Sequence, residues 1–116
     1  RLKIVLGHLG ENLPYSLWRI DHCNGWIKQR HKYPAKKKIA DYFCANFHLT
    51  VAGNFHTPTL VAAMLEIGAD RIMFSTDWPF EDIGQAAEWF DRASISEADR
   101  MKIGRTNAIE LFKLGI

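Results

Sequence analysis

Long apolar stretches are missing from this sequence of 116 residues. No run approaches the roughly 20 apolar residues that cross a bilayer, and the first residues lack the pattern of a secretory signal peptide. Cysteine is also scarce, because Cys23 and Cys44 are the only two and they lack metal-binding spacing. Free thiols are therefore expected rather than a disulfide. These absences argue against a membrane partner and predict a cytoplasmic protein.

The sequence has little net charge, +2 at pH 7, which is too small to predict a nucleic-acid partner. Six of its 15 positive residues nevertheless cluster together: Lys28, Arg30, Lys32, Lys36, Lys37 and Lys38. Tyr33 is the one aromatic residue inside this cluster, so the stacking surface of single-strand binders is not evident. We interpret the cluster as a solvated segment. A phosphate-binding or nucleic-acid-binding patch is the alternative.

Short apolar runs alternate with amphipathic segments along the chain. The pattern predicts strands near residues 3–6, 47–52 and 71–75, and helices at residues 13–30, 37–44, 58–67, 81–93, 96–103 and 106–114. Because helices separate the strands, the strands are expected to be parallel. The prediction is therefore an α/β fold, and a small doubly wound domain remains open at this point.

The first predicted helix has two distinct faces. Its apolar stripe, expected to pack on the sheet, consists of Leu13, Leu17, Ile20 and Ile27. The other side carries Tyr15, Trp18, Arg19, His22 and Trp26. Aromatic residues and arginine are enriched in interface cores, so this face predicts a subunit contact. Coverage by a neighbouring helix or an insertion within the same subunit is the alternative. Gly25 is expected to mark a late break.

Polar side chains follow two of the predicted strands at the point where each strand ends. His8 follows the first strand and Asp77 the third. Parallel strands place such residues at one edge of a sheet, where α/β folds carry out their chemistry. The structural alternative for Asp77 is the N-cap of the next helix.

Four motifs along the chain carry a resemblance to a known family, and two of them contain His8 and Asp77. Residues 7–11 read Gly-His-Leu-Gly-Glu, residues 18–22 read Trp-Arg-Ile-Asp-His, residues 71–81 read Arg-Ile-Met-Phe-Ser-Thr-Asp-Trp-Pro-Phe-Glu, and residues 104–108 read Gly-Arg-Thr-Asn-Ala. The sequence thereby resembles the decarboxylase branch of the amidohydrolase superfamily. These are metal-dependent (β/α)8 barrels that include γ-resorcylate, 2,3-dihydroxybenzoate and aminocarboxymuconate-semialdehyde decarboxylases.

The length of the chain conflicts with a complete barrel, which needs roughly 250 residues. The resemblance implies that residues 1–116 are the carboxyl-terminal part of one TIM-barrel domain. They would form its last three βα units, strands 6–8, with extra C-terminal helices, and the amino-terminal portion would be absent.

The resemblance also implies roles for particular residues. Asp77 matches a metal ligand and proton carrier, and His8 matches a catalytic acid-base group. Glu11 is expected to orient His8, although a carboxylate in the first turn of a helix is an equal alternative. Arg19 matches a position from which a neighbouring subunit reaches the substrate carboxylate, which predicts a homo-oligomer, and Phe80 is expected to contact the substrate.

The implied function is metal-dependent, nonoxidative decarboxylation of a small hydroxylated aromatic acid. The implied cofactor is a divalent metal, Zn, Mn or Mg. One alternative is a hydrolase of the same superfamily with Asp77 as base, and another is a non-catalytic half-barrel. His56, just after the second strand, is expected to line the mouth of the pocket.

Overall fold

Three short parallel strands form the centre of the fold. The structure is a computed structural model that describes residues 2–30 and 34–116. The sheet has the order β1 (Ile4–Leu6), β2 (Phe47–Thr50) and β3 (Ile72–Met73), and both pairings are parallel. The expectation of parallel strands is confirmed. The second and third strands are shorter than predicted, because pairing with β2 ends after two residues of β3.

Helices follow each strand and pack beside the sheet. They are α1 (Leu13–Arg30), α2 (Ile39–Asn46), α3 (Thr57–Ile67), α4 (Ile83–Arg92), α5 (Glu97–Met101) and α6 (Asn107–Phe112). Among the described residues, no helix is long and apolar enough to cross a membrane. Lys36, Lys37 and Lys38 of the basic cluster are exposed. Lys32 and Tyr33 lie outside the described residues, as do the side chains of Lys28 and Arg30.

Two helices begin two residues later than predicted, and capping explains both shifts. Asp21 of α1 accepts hydrogen bonds from the Ile39 and Ala40 N–H groups at 2.6 and 3.1 Å, which starts α2 at Ile39 rather than at residue 37. The Asp82 carboxylate accepts from the Gln85 N–H at 2.7 Å and starts α4. A cap supplied by another helix leaves no local sequence signal.

The carboxyl-terminal helices are continuous, although a break was predicted near residue 104. A π-helical turn, Lys102–Thr106, joins α5 to α6. A Cβ at Gly104 would lie 3.1 Å from Cε1 of Phe90, so the glycine serves close packing against α4 rather than helix termination. Ser96 caps α5, close to the predicted start of a helix at residue 96, because its hydroxyl accepts from the Asp99 N–H at 3.1 Å.

The hydrophobic core lies between the sheet and the helices. Its fully buried side chains include Leu9, Leu49, Leu60, Ile72 and Ile103. These residues come from three strand or turn segments, one crossover helix and the π-helical turn. The core therefore fixes the carboxyl ends of the strands relative to one another.

The predicted packing of the whole α1 stripe on the sheet is wrong. Leu17 is buried at 2% exposure, but Leu13 and Ile27 are 38% and 45% exposed. The reason is length: 18 helical residues span about 27 Å, while the three residues of β1 span about 10 Å. Gly25 does not interrupt the helix, because a single glycine costs only about 1 kcal/mol.

The edge of β3 that faces away from β2 is covered by the carboxyl-terminal segment. Asn107 donates from Nδ2 to the carbonyls of Ala69 and Ile72, both at 2.7 Å. The Phe74 N–H donates to the Ile103 carbonyl at 2.8 Å. These bonds satisfy backbone groups that would otherwise be available to a further strand.

Candidate functional site

His8 and Asp77 meet at the carboxyl edge of the sheet. His8 Nε2 lies 3.5 Å from Asp77 Oδ2, although the residues are 69 positions apart. They follow β1 and β3, which are separated by β2. The prediction that two strands bring these side chains to one edge of the sheet is confirmed. Their chemical roles stay predictions.

Glu11 completes the cluster from the other side of the imidazole ring. Its Oε1 lies 2.8 Å from His8 Nδ1, which is a good hydrogen-bond length, whereas the contact to Asp77 is at the outer limit. Glu11 precedes α1, whose first turn contains no acidic residue. The alternative role of Glu11 in that turn therefore finds no support, and its contact with His8 is the one that the structure contains.

The two carboxylates change the protonation of the histidine. Hydrogen bonding to Asp77, and then to Glu11, raises the pKa of His8 above its usual 6.5. A ring between two ionised carboxylates can satisfy both only as imidazolium, because both nitrogens must then donate. The His8 side chain is 45% exposed and that of Asp77 34% exposed, so a ligand can reach both.

The backbone of the site adopts uncommon conformations. Five non-glycine residues of the described chain have positive φ, and four of them lie in the two site loops: His8, Leu9, Glu11 and Asp77. Such angles are uncommon for residues with a Cβ and cluster at functional sites. The strain therefore coincides with the residues predicted to carry the chemistry.

Asp77 does not cap the next helix. Its carbonyl accepts from the N–H groups of Phe80 and Glu81 at 2.9 and 3.3 Å, forming a turn, and Asp82 supplies the side-chain cap of α4. The carboxylate of Asp77 is therefore left to face His8. The capping alternative for Asp77 is wrong because the helix begins later than predicted.

The other predicted site residues are not part of this cluster. Phe80 is 85% exposed in the loop after β3. Arg19 is exposed on α1 and forms no ion pair within the described part of the chain. His56 is exposed, and its Nδ1 lies 2.8 Å from Thr59 Oγ1 at the start of α3. The suggested roles of these three residues stay predictions.

The outer face of α1 forms an aromatic ladder, defined here as Trp18, His22 and Trp26. The rings of Trp18 and His22 stack with centroids 4.9 Å apart, and His22 meets Trp26 edge-on at 4.8 Å. Trp18 is 69% exposed and Trp26 57% exposed. Within the described residues, no neighbouring helix covers the ladder. Both the subunit contact and coverage by another part of the same subunit stay predictions.

Two residues beside the cluster escaped the sequence-based reasoning. Gly53 and Asn54 follow directly after the strand predicted at residues 47–52, and no role was predicted for either. Asn54 Nδ2 donates to the His8 carbonyl at 3.4 Å, and Gly53 lies against both His8 and Asp77. Their position after the central strand was the available signal, since that strand ends at the same edge.

Comparison with known proteins shows the family to which the chain belongs. The sequence model of the amidohydrolase family matches residues 1–114, and the chain belongs to this family. Over 113 residues it is 70% identical to the γ-resorcylate decarboxylase of Polaromonas sp. (strain JS666), a match that covers 97% of this chain and 35% of that protein. The chain thus spans about a third of the length of the curated relatives it matches.

Solved structures agree with this assignment. The crystal structure of a dihydroxybenzoic acid decarboxylase from Polaromonas sp. JS666, with bound manganese and the inhibitor 2-nitroresorcinol, is 69% identical with a TM-score of 0.91. That match covers 99% of this chain and 35% of that one. A 2,6-dihydroxybenzoate decarboxylase in complex with 2,6-dihydroxybenzoate is 65% identical with a TM-score of 0.90, over 97% of this chain and 35% of the other. The α/β fold of this chain is therefore that of the amidohydrolase-family decarboxylases.

Proposed function

We propose that this chain is part of a metal-dependent, nonoxidative decarboxylase of a dihydroxybenzoate-type acid. The observation that carries the proposal is the placement of His8 between Glu11 and Asp77, at 2.8 and 3.5 Å. The relatives supply the reaction class, since γ-resorcylate and 2,6-dihydroxybenzoate decarboxylases match nearly the whole chain. A cytoplasmic location belongs to the same proposal and is supported by the free thiols of Cys23 and Cys44.

In this proposal residues 1–116 form the last three βα units of a (β/α)8 barrel. The share of about 35% in each relative supports it. Exposed apolar side chains at and just before β1 also support it, because Leu2 and Val5 are 70% and 41% exposed. A preceding strand that pairs with β1 would cover them.

The described residues supply only part of a binding site for a divalent metal. The carboxylate of Asp77 is the oxygen ligand that Mn²⁺ and Mg²⁺ prefer, and manganese is present in the related Polaromonas structure. No group of three His, Cys, Asp or Glu side chains within the described residues is arranged to hold a metal ion. The remaining ligands would therefore come from outside this chain. A bound divalent metal would stabilise negative charge on the carboxylate and the adjacent hydroxyl of the substrate.

The residues of this chain would move the proton. Decarboxylation requires a proton on the ring carbon that bears the carboxylate. The C–C bond then breaks, its electron pair returns to the ring and CO2 departs. His8 Nε2 faces Asp77 Oδ2, so a proton can pass between these atoms, while Glu11 holds Nδ1 and fixes the ring. In this scheme Asp77 presents the proton to the substrate.

Substrate binding would extend beyond the cluster. The exposed ring of Phe80 lies in the loop after Asp77, where it can flank an aromatic acid. The aromatic ladder would contact a second copy of the enzyme, since large exposed apolar patches usually mark interfaces. Arg19 emerges beside Trp18 on this exposed part of α1. It would bind the substrate carboxylate in the neighbouring subunit.

A chimera tests the reaction. Residues 1–116 replace the matching segment of the Polaromonas γ-resorcylate decarboxylase, and CO2 release from 2,6-dihydroxybenzoate is measured. The parent chimera should be active, and Asp77→Asn should lower kcat about 100-fold or more through loss of the proton carrier. Asp82→Asn is the matched control, because it removes a charge from the same loop and asparagine caps a helix equally well. An inactive parent chimera, or an Asp77→Asn variant with normal kcat, would contradict the proposal. Ester hydrolysis instead of decarboxylation would favour a hydrolase.

Subunit complementation tests the role of Arg19. In the chimera, Arg19→Ala should weaken substrate binding by about ten- to a hundredfold, equivalent to about 1.5–3 kcal/mol. Mixing the Arg19→Ala and Asp77→Asn chimeras should restore part of the activity, because one pocket of a mixed dimer carries neither defect. If mixed dimers form but stay inactive, Arg19 does not serve a neighbouring pocket.

A further inference from the structure

Gly53 occupies the gap between the two groups of the candidate site. It follows β2, the central strand, and so lies between the ends of β1 and β3. A Cβ built on Gly53 would lie 2.8 Å from Cδ2 and 3.1 Å from Nε2 of His8, and 3.2 Å from Oδ2 of Asp77. The first of these separations is shorter than real Cβ contacts. The imidazole and the carboxylate can therefore meet across β2 only because residue 53 has no side chain.

The same turn also holds the backbone of His8. The His8 N–H donates to the Ala52 carbonyl at 3.1 Å, and Asn54 Nδ2 donates to the His8 carbonyl at 3.4 Å. The Asn54 N–H in turn donates to the Val51 carbonyl at 2.9 Å, which ties the turn to β2. His8 itself has a φ of 51°, a conformation that needs support from its surroundings.

We propose that Gly53 is a positioning residue that sets the separation between the His8 ring and the Asp77 carboxylate, with Asn54 holding the His8 backbone in place. The consequence for turnover rests on the proposed decarboxylase function. The consequence for geometry does not, because it concerns only atoms of this chain. The mechanism is steric: any side chain at residue 53 pushes the ring away from the carboxylate that it faces.

Two other glycines with positive φ allow the steric role of Gly53 to be distinguished from a role in backbone conformation alone. Gly10, Gly53 and Gly68 have positive φ values of 75°, 63° and 83°. At Gly10 a Cβ would meet Leu49 and Pro14, which is a packing contact, and at Gly68 it would meet nothing within 4 Å. Gly68→Ala therefore also places a Cβ on a residue with positive φ, but without reaching His8. It is the matched control.

The geometric test uses the 116-residue chain with ¹⁵N-labelled histidine. The ring ¹⁵N resonances of His8, assigned with a His8→Gln variant, report the partners of Nδ1 and Nε2. Gly53→Ala should shift the Nε2 resonance of His8 and leave the ring resonances of His22 and His56 unchanged. Gly68→Ala should leave the His8 resonances as they are in the parent. Asn54→Asp, which has the same shape but no Nδ2 donor, is the second variant in case Gly53→Ala does not fold. Its His8 resonances should also shift.

The catalytic test repeats the variants in the chimera. Gly53→Ala should lower kcat for 2,6-dihydroxybenzoate about tenfold or more with little change in KM. Gly68→Ala should lower the melting temperature and keep the parent kcat. Unchanged His8 resonances in Gly53→Ala overturn the inference whatever the activity. Where Gly53→Ala does not fold, unchanged resonances in Asn54→Asp overturn it. Shifted resonances together with an inactive parent chimera uphold the positioning role and refute the proposed function instead.

Discussion

Asn107 offers the sharpest test of how the carboxyl-terminal segment stabilises the sheet. Its side chain is 5% exposed, and its Nδ2 group donates to the Ala69 and Ile72 carbonyls at 2.7 Å each. Each such bond contributes about 1 kcal/mol net, and a buried carbonyl left without a donor costs about 1–3 kcal/mol. Asn107→Ala should therefore lower the free energy of unfolding by about 2–4 kcal/mol.

Urea denaturation followed by circular dichroism measures this loss, and an unchanged m-value would show that the variant keeps the parent fold. Asn107→Asp is the informative companion, because it preserves shape but places a carboxylate opposite two carbonyls. It should be less stable than Asn107→Ala near neutral pH. It should recover relative to that variant as pH falls, since the protonated carboxyl regains one donor and the folded state then binds more protons. A loss below about 0.5 kcal/mol for Asn107→Ala would refute the reasoning.

Two further predictions concern histidine and capping. Burial, and then the nearby charges of Arg71 and Lys3, lower the pKa of His48 below its usual 6.5. The unfolded chain therefore binds a proton more readily than the folded one. The free energy of unfolding should fall as pH drops below about 6.5. His48→Gln should flatten this dependence in urea titrations between about pH 5 and 7, the titration range of histidine, and an unchanged slope would contradict the assignment. Asp82→Ala should cost about 1 kcal/mol through loss of the α4 cap, whereas Asp82→Asn should be nearly neutral; equal stability of the two variants would argue against the cap.

Local patterns predicted much of the architecture. The apolar runs beginning near Ile4, Phe47 and Ile72 are strands, and the first helix has the predicted bounds. α3 ends at Gly68, directly after its predicted last residue 67, and Ser96 caps α5 where a helix was predicted to begin. These features depend on residues a few positions apart, so periodicity and capping chemistry are sufficient to indicate them.

The placement of His8 and Asp77 was also predictable, because parallel strands present their carboxyl ends at one edge. Only the tertiary structure showed what lies between them. The spacing of His8 and Asp77 depends on Gly53 through steric contact, and a lone glycine after a strand carries no signal about what would meet its absent Cβ.

The sequence by itself determined the order and type of most elements, the family, and the meeting of His8 and Asp77 at one edge of the sheet. The tertiary structure alone decided that Asp21 starts α2, that Asn107 bonds the outer edge of β3, and that the ends of the α1 stripe stay exposed. The hydrogen bonds involved join residues 18 and 35 positions apart. Their energies depend on distances that arise only when the chain is folded, so no local pattern of residue types encodes them.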